Sequence, residues 1–335
     1  MVAKVWALGR GPALSVGTGH FFLMKIVSVP LTRSHNPVTQ AMHVAIDNLY
    51  KNSPASDCRL CGGAAFARFA APVLERYEVS YWRCTDCGSL QTDPPYWLEE
   101  AYARVELAAD LGMAARTLQM AQFMSLVLRI ADLGSSARCL DYGGGNGLFC
   151  RMMRDQGFDF WNHDKYVTPF YCSGFVVERP TAPFAVVTSF EVFEHLAAPA
   201  HEIDSIFALK PELWIFSTQL YRDQGADWDY LARANGRHVF FYSARALESL
   251  AGRRGYVFVP GRQIHAFIKK DADGGLRRPT ARAAIRRVLE GGRFVTLAAA
   301  ANFTWRQRDA FRHWQSDRDR LRLDPAAPLP PPSAD

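Results

Sequence analysis

Residues 139–149 read CLDYGGGNGLF, and this run decides the fold. Its apolar start predicts the end of a buried strand, its glycines predict a loop, and Leu148–Arg154 predict the helix that follows. Gly143, Gly145 and Gly147 leave room for a ligand to lie against the backbone. The run is not a dinucleotide-binding GxGxxG fingerprint, because the third glycine of that pattern is missing. It also lacks the lysine of a phosphate-binding P-loop.

Further strands follow the loop at the spacing of an α/β sheet. Residues 157–164 predict a second strand ending in Asp164, where an acid can accept hydrogen bonds from both ribose hydroxyls of a nucleoside. Residues 184–190 and 213–218 are apolar, and each predicts a buried strand. Residues 194–196 predict the first turn of the helix between them. This alternation predicts a doubly wound α/β fold with a parallel sheet.

An acid, Asp141, followed by GxGxG resembles the first motif of class I S-adenosylmethionine methyltransferases. The resemblance spans residues 137–270 and implies a Rossmann-like methyltransferase domain with S-adenosylmethionine as its cofactor. It also implies that Asp141 orients the loop or contacts the amino-acid end of the cofactor, and that Asp164 holds the ribose. The implied cofactor-binding residues are Asp141, Gly143, Gly145, Gly147, Asp164, Phe190 and Glu191.

Two CxxC pairs precede this domain, Cys58 with Cys61 and Cys84 with Cys87, and 22 residues separate them. Each pair places two thiolates on one side of a tight loop, and a following glycine lets backbone N–H groups fold back toward the sulfurs. The pairs predict a small zinc ribbon over residues 55–97. Because four thiolates leave no open position, the Zn²⁺ is predicted to be structural. The alternative is two redox-active or coincidental pairs.

The rest of the chain divides by composition. Residues 1–54 form an extension with little pattern, and residues 98–136, rich in Ala, Leu and Met, predict a helical connector. Residues 271–324 predict a basic helical region. Residues 325–335 contain five prolines and predict a disordered tail.

The net charge of +6 raises the question of a nucleic-acid partner. From residue 271 onward there are twelve arginines and eight acidic residues, whereas residues 51–100 hold five basic and seven acidic residues. A ribbon that bound RNA would be the basic part, because phosphate neutralisation supplies most of that affinity. The distribution therefore favours a solvated arginine-rich helix face and a small-molecule partner.

The composition also bears on the compartment. No apolar run approaches the roughly 18–20 residues of a membrane span, so no membrane association is expected. The first 23 residues lack the cleavage pattern of a signal peptide, and Met24 is an alternative start. Cys139, Cys150 and Cys172 lie in or beside apolar segments, which favours reduced core thiols over disulfides. A cytoplasmic enzyme is the expectation.

The tetrapeptide DPPY at residues 93–96 matches the one with which amino-methyltransferases acting on DNA adenine hold a flipped base. In that role it lies after a core strand, or before the glycine loop in permuted enzymes. Here it directly follows the second cysteine pair. A turn that leaves the ribbon is the favoured interpretation.

A narrower resemblance rests on three features together. The cysteine pairs, a Glu-His pair after the strand at residues 184–190, and the segment GRHVFFYS at residues 236–243 are similar to zinc-containing methyltransferases of sugar and glycan pathways, including sugar C-methyltransferases. This resemblance covers residues 55–270 and implies a sugar, nucleotide-sugar or glycan precursor as acceptor. The C-methyltransferases carry Glu immediately before the histidine of the last segment. Arg237 stands there in this chain, which favours O-methylation.

Methyl transfer from a sulfonium requires in-line positioning and removal of the acceptor's proton. His238 is the preferred general base, because its polar segment follows a sheet strand. His195 is the second choice, with a structural role at a helix start as the alternative. Two other functions stay open: an RNA methyltransferase that uses the ribbon for recognition, and a non-catalytic protein with this fold. The acids Asp141 and Asp164 favour an enzyme.

Overall fold

The computed structural model describes residues 56–103, 112–134, 136–181, 183–272 and 274–307. The extension predicted for residues 1–54 and the tail predicted for residues 325–335 lie outside these ranges. The described part of the chain contains two β-sheets, and α-helices cover both faces of the second.

The strands of the described residues are β1 (Ser56–Asp57), β2 (Ala64–Val73), β3 (Tyr77–Cys84), β4 (Leu90–Thr92), β5 (Arg138–Tyr142), β6 (Asp159–His163), β7 (Val186–Ser189), β8 (Leu213–Ser217), β9 (Phe240–Phe241), β10 (Tyr256–Val259) and β11 (Ile264–Lys269). The α-helices are α1 (Leu98–Ala103), α2 (Met113–Ile130), α3 (Leu148–Arg154), α4 (Pro199–Phe207), α5 (Ala244–Arg253), α6 (Pro279–Glu290) and α7 (Arg293–Gln307). Short 3₁₀ turns lie at Phe193–His195, Asp229–Leu231 and Gly274–Arg277.

The first sheet is antiparallel with the strand order β1-β2-β3-β4-β9. Strands β1 to β4 come from the cysteine-containing unit, whereas β9 comes from a segment about 150 residues further along the chain, with Leu90 opposite Phe241 and Gln91 opposite Phe240. This pairing was not predicted. It places the segment that carries His238 at the edge of the ribbon sheet.

The second sheet has the order β10-β11-β8-β7-β5-β6. Strands β6, β5, β7 and β8 are parallel, and β11 runs antiparallel to both of its neighbours. Along β8, Leu213 and Ile215 belong to one apolar core and Trp214 and Phe216 to another, as expected when successive side chains point to opposite faces.

Each of these two cores is closed by its own helices. Leu128 of α2, Met153 of α3 and Ile285 of α6 pack in one core, and Ile203 of α4 and Leu250 of α5 pack in the other. Because a parallel sheet buries both faces, it needs this double layer of helices. The predicted doubly wound α/β fold is confirmed.

The helix predicted to open at Glu194 begins five residues later. Phe193–His195 form a 3₁₀ turn, and α4 begins at Pro199. A proline fits the first turn of a helix, where its missing N–H is not needed, but it keeps the preceding residue out of the helical region. Ala198 accordingly has φ −118° and ψ 65°. The helix therefore cannot extend back to Glu194, and that prediction was wrong.

The flanking regions are helical where they are described. The connector predicted for residues 98–136 contains α1 and α2, and residues 104–111 between them lie outside the described part. The region predicted for residues 271–324 contains α6 and α7, and residues beyond Gln307 lie outside it as well. Among the described helices, none has the length and apolarity needed to cross a membrane.

Asp93 fixes the chain where it leaves the ribbon. Its two carboxylate oxygens accept hydrogen bonds from the backbone N–H of Ser80 and from the indole N–H of Trp82, both at 2.7 Å. Both donors belong to β3, so the acid of the DPPY tetrapeptide is engaged within the ribbon. These contacts agree with the turn interpretation.

Candidate cofactor and acceptor site

The glycine loop connects β5 to α3 at the carboxyl edge of the parallel sheet, the edge at which such sheets bind ligands. Two of its glycines differ in their surroundings. A Cβ added at Gly144 would lie 2.0 Å from Oδ1 of Asn162 and 2.4 Å from Oδ2 of Asp141, so this backbone packs against polar side chains. A Cβ at Gly145 would meet nothing within 4 Å, although its φ of +54° also favours glycine. Asn162 and Asp141 therefore pack against the loop at Gly144, whereas the space beside the Cα of Gly145 is open to a ligand.

Asp164 holds the loop from the end of β6. One carboxylate oxygen accepts a hydrogen bond from the Gly145 N–H at 2.9 Å, and the other accepts from the N–H groups of Tyr166 and Val167 at 2.8 and 2.9 Å. A carboxylate offers about four acceptor positions. Three are in use, which leaves about one for a ligand hydroxyl.

Asp141 lies beneath the loop and is buried. It accepts a hydrogen bond from the Thr188 hydroxyl at 2.8 Å. Burial raises the pKa of Asp141 to about 7; the Thr188 hydrogen bond opposes this shift and the charge of Asp164 adds to it. The structure thus gives Asp141 a loop-supporting position, while Thr188 and Asn162 are supporting residues that the sequence did not single out.

Phe190 and Glu191 follow β7 at the same edge. Phe190 packs edge-to-face on Phe149 with ring centroids 5.1 Å apart, so its position is fixed by the core. Glu191 is exposed and has φ +55°, a left-handed conformation that is uncommon for a non-glycine residue. The Ser217 hydroxyl stabilises it, accepting from the Glu191 N–H and donating to its carboxylate, both at 2.7 Å.

The two predicted catalytic histidines lie next to each other. The rings of His195 and His238 meet edge-to-face with their centroids 4.9 Å apart. Nδ1 of His238 donates to the Tyr230 carbonyl at 2.7 Å, so Nε2 keeps its lone pair. Nδ1 of the His195 ring is buried without a hydrogen-bond partner. The His238 ring is therefore oriented by a carbonyl, and each ring presents a nitrogen that is free to accept a proton.

Glu194 is the third residue of this cluster, and no catalytic or binding role was predicted for it from the sequence. Ligand atoms of Glu194, His195 and His238 all lie within 4.8 Å of one another. The Glu194 side chain is fully buried, and neither carboxylate oxygen has a hydrogen-bond partner of good geometry. The hydroxyls of Thr218 and Tyr230, 3.2 Å from each other, face it. Burial, and then the charge of Glu191, raise the pKa of Glu194 to about 8. In the sequence, the position of Glu194 beside a histidine just after a predicted strand was the signal that could have indicated its place in the cluster.

The four cysteines converge between the two knuckles of the ribbon. The Sγ atoms of Cys58 and Cys87 are 3.7 Å apart, those of Cys61 and Cys84 are 3.5 Å apart, and all four lie within 4.8 Å of one another. Tetrahedral Zn²⁺ with Zn–S bonds of about 2.3 Å separates its sulfurs by about 3.8 Å. The cluster therefore fits one tetrahedral Zn²⁺.

Arg59, inside the first knuckle, connects the ribbon to the histidine cluster. Its guanidinium donates to the carbonyls of Ala197 at 3.0 Å, Val239 at 2.7 Å and Thr92 at 3.2 Å. The Val239 N–H in turn donates to the Glu194 carbonyl at 2.8 Å. One buried side chain thus holds together the ribbon, the His238 segment and the chain after His195.

Further contacts fix the segment on either side of His238. The indole N–H of Trp97 donates to the Gly236 carbonyl at 2.7 Å. The Ser243 hydroxyl donates to the carbonyl of Cys87 and caps α5 by accepting from the Ala246 N–H. The ribbon therefore holds the segment that carries His238.

Comparison with known proteins identifies the domain. Residues 115–260 match a family model described as a methyltransferase domain. No curated protein matches the chain significantly.

Solved structures of methyltransferases resemble the fold at low identity. One is the 1,6-didemethyltoxoflavin-N1-methyltransferase of Burkholderia thailandensis, with 16% identity, a TM-score of 0.39, and coverage of 60% of this chain and 99% of that one. Another is the magnesium protoporphyrin IX methyltransferase of Synechocystis PCC 6803, with 12% identity, a TM-score of 0.36, and coverage of 52% and 95%. Neither likeness bears on the substrate of this chain.

The family match falls on the doubly wound sheet and its glycine loop. Residues 115–260 of this protein therefore carry a methyltransferase domain.

Proposed function

We propose that the enzyme transfers the methyl group of S-adenosylmethionine to a nucleophilic atom of a small molecule, namely a sugar, a nucleotide-sugar or a glycan precursor. One observation carries this proposal. The open glycine loop follows β5, and Glu194 and His195 follow the adjacent strand β7 at the same edge of the sheet. His238, from the segment before β9, joins Glu194 and His195 there. A methyl donor on the loop and an acceptor at the cluster would be neighbours.

The cofactor is proposed to lie along Asp141, Gly143, Gly145 and Gly147. The open space above Gly145 supports this placement, because a ligand can approach the backbone there. Asp164, bound to the Gly145 N–H, is the proposed ribose acceptor, through the acceptor position that its three backbone bonds leave free. Phe190 and Glu191 would line the same pocket from β7.

The acceptor is proposed to lose its proton at the histidine cluster. His238 is the favoured group because the bond from Nδ1 to the Tyr230 carbonyl leaves Nε2 free to accept a proton. His195 is the second candidate through its unpartnered Nδ1. The bond that forms joins the methyl carbon to the acceptor atom, and the S–CH₃ electron pair stays on sulfur.

The arginines of the ribbon are engaged in hydrogen bonds and ion pairs within the protein, which favours a small-molecule acceptor over RNA. Arg59 is engaged with backbone carbonyls, Arg68 and Arg83 pair with Asp223 at 3.1 and 3.3 Å, and Arg76 pairs with Glu100 at 3.2 Å. These are all the arginines of residues 56–97. Since phosphate contacts supply most RNA affinity, a ribbon with its cations engaged is poorly suited to RNA.

The cysteine cluster is proposed to hold a structural Zn²⁺. Four thiolate ligands fill a tetrahedral coordination sphere, so Cys58, Cys61, Cys84 and Cys87 leave no position for a substrate. The ion would contribute folding free energy to the ribbon and, through Arg59, fix the acceptor side of the site.

Calorimetric titration of the full-length protein with S-adenosylmethionine tests the cofactor assignment. We expect binding, and we expect Asp164→Ala to weaken it about 10- to 100-fold, the equivalent of one lost hydrogen bond to a charged group, about 1.5–3 kcal/mol. Asp164→Asn, which keeps an acceptor oxygen, should lose less. Asp204→Ala, on the surface of α4, is the matched control and should bind normally. Tight NAD binding with no response to S-adenosylmethionine would overturn the assignment.

A further inference from the structure

His195, His238 and the buried carboxylate of Glu194 form a second cluster of possible metal ligands. One ligand atom from each of the three side chains lies within 4.8 Å of the others, a separation that one cation can span. Glu194 is fully buried with no satisfactory hydrogen-bond partner for either oxygen. A buried carboxylate without partners costs several kcal/mol unless a cation or a proton compensates it. A cation bound between the three side chains would provide this compensation.

The orientation of the His238 ring supports a bound cation. Nδ1 of His238 donates to the Tyr230 carbonyl at 2.7 Å. Metal-binding histidines characteristically donate their second ring N–H to a carbonyl or carboxylate, which orients the ring and fixes the tautomer. The His238 ring is held in that way.

The geometry points to a divalent cation bound by Glu194, His195 and His238 at the acceptor side of the active site. The inference rests on the proposed methyl transfer and changes one part of it, because His238 would then bind the cation and water would take the proton of the acceptor. Two imidazoles and one carboxylate are the donor set of open Zn²⁺ and other first-row transition-metal sites, whereas Mg²⁺ prefers oxygen ligands. Three protein ligands leave coordination positions for water and substrate.

The acceptor class follows from this site. A hydroxyl oxygen can replace a water on the cation, and binding to the cation lowers the pKa of the hydroxyl. The proton passes to water, the oxygen lone pair forms the new C–O bond, and the S–CH₃ pair remains on sulfur as the neutral thioether of S-adenosylhomocysteine. An alkyl carbon has no lone pair to offer the cation. The site therefore favours an acceptor atom that can bind the cation through a lone pair, such as the oxygen of a sugar hydroxyl.

Mn²⁺ is the probe that separates this site from the cysteine cluster, because a four-thiolate site prefers softer ions. Electron paramagnetic resonance of free Mn²⁺ during titration of the full-length, zinc-loaded protein counts bound ions without S-adenosylmethionine. We expect about one Mn²⁺ per chain in the wild type. In Glu194→Gln and His238→Asn the Mn²⁺ affinity should fall more than about 100-fold. Mutation of residues that only hydrogen-bond to metal ligands already lowers metal affinity about 10–100-fold, and these variants change a ligand itself.

Two controls keep the result interpretable. His201→Ala removes an exposed histidine of α4 and should bind Mn²⁺ like the wild type. Retained S-adenosylmethionine binding shows that a variant is folded.

The zinc content after dialysis against Zn²⁺ gives a second measure of metal binding at this site. Two ions per chain are expected in the wild type and one in Glu194→Gln. A wild type with neither Mn²⁺ uptake nor a second zinc, or variants that bind like the wild type, would overturn the proposal. The proposed function would then still stand with His238 as its base, whereas a protein that binds Mn²⁺ but not S-adenosylmethionine would refute the proposed function.

Discussion

The two ligand clusters of this protein differ in how much of a coordination sphere the chain supplies. Cys58, Cys61, Cys84 and Cys87 offer four sulfurs from two knuckles, with Sγ separations that already match a tetrahedral ion. The second cluster offers one carboxylate and two imidazoles beside the glycine loop. A closed sphere holds structure, and an open one leaves positions for a reactant. On the proposed assignments, the cysteine cluster supports the folding of the ribbon and the second cluster takes part in the chemistry at the sheet edge.

The clusters are nevertheless connected. Arg59 lies between Cys58 and Cys61 in the chain and donates to the Val239 carbonyl, next to His238. Strand β9 adds to the ribbon sheet rather than to the methyltransferase sheet. Loss of the closed site should therefore disturb the open one, whereas loss of the open site should leave the closed one intact. This asymmetry can be tested from both sides.

Cys84→Ser should have the largest effect. Removing one thiolate forfeits most of the zinc-binding free energy, which is about 10–16 kcal/mol for structural sites in zinc-finger peptides. We expect loss of zinc by metal analysis and fast hydrogen exchange over residues 56–97. Cys139→Ser is the control, because that sulfur donates to the Ala137 carbonyl, a bond that a hydroxyl can also make. Retention of zinc by Cys84→Ser would contradict the four-ligand site.

His238→Ala should lower turnover about 10²–10⁴-fold, the range expected when a proton-accepting group is lost. S-adenosylmethionine affinity and the zinc held by the four cysteines should stay near those of the wild type, because His238 belongs neither to the glycine loop nor to the cysteine cluster. Initial rates would be measured on the acceptor identified by mass spectrometry of ligands retained through native purification. His201→Ala serves again as control. Full activity in His238→Ala would make this ring structural and leave His195 as the candidate.

Arg59→Met tests the connection between the clusters. It removes the guanidinium from three buried carbonyl contacts, and an unsatisfied buried polar group costs about 1–3 kcal/mol. We expect lower thermal stability and a reduced kcat with zinc content and cofactor affinity unchanged. Arg68→Met, which removes an exposed pair with Asp223, is the control and should cost about 1 kcal/mol or less. Unchanged turnover in Arg59→Met would show that the acceptor side is positioned without the ribbon.

Gly144→Ala should have the smallest effect of the four, a small loss of stability together with weaker cofactor binding. The added Cβ would lie 2.0 Å from Asn162 and 2.4 Å from Asp141, so these side chains or the loop must shift. Overpacking of this kind costs about 1–3 kcal/mol. Calorimetry should show weaker S-adenosylmethionine binding, while Gly134→Ala, with open space around it, should bind normally. Equal affinities in the two variants would mean that the loop does not carry the cofactor.

Local patterns account for what the sequence predicted. Helix α3 begins and ends at Leu148 and Arg154 as predicted, because a glycine loop before it and Gly157 after it are signals within a few residues. The CxxC pairs indicated their convergence in the same way. The strand β9, by contrast, depends on a partner about 150 residues away, for which no local pattern exists.

The sequence also missed the residues whose roles come from burial. Glu194 looks like any acid beside a histidine, and only the fold shows that it is buried without a partner. Arg59 looks like a surface cation of the ribbon, yet its guanidinium reaches carbonyls about 140 and 180 residues away. Long-range hydrogen bonds of this kind leave no periodicity or spacing to find.

Anomalous diffraction from crystals of the full-length protein grown with Mn²⁺, recorded at the zinc and manganese absorption edges, tests the contrast between the clusters most directly. The account predicts a zinc peak at the centre of the four cysteine sulfurs and a manganese peak between Glu194, His195 and His238. A map with no metal among the cysteines, or with manganese bound elsewhere and none at the second cluster, would contradict it.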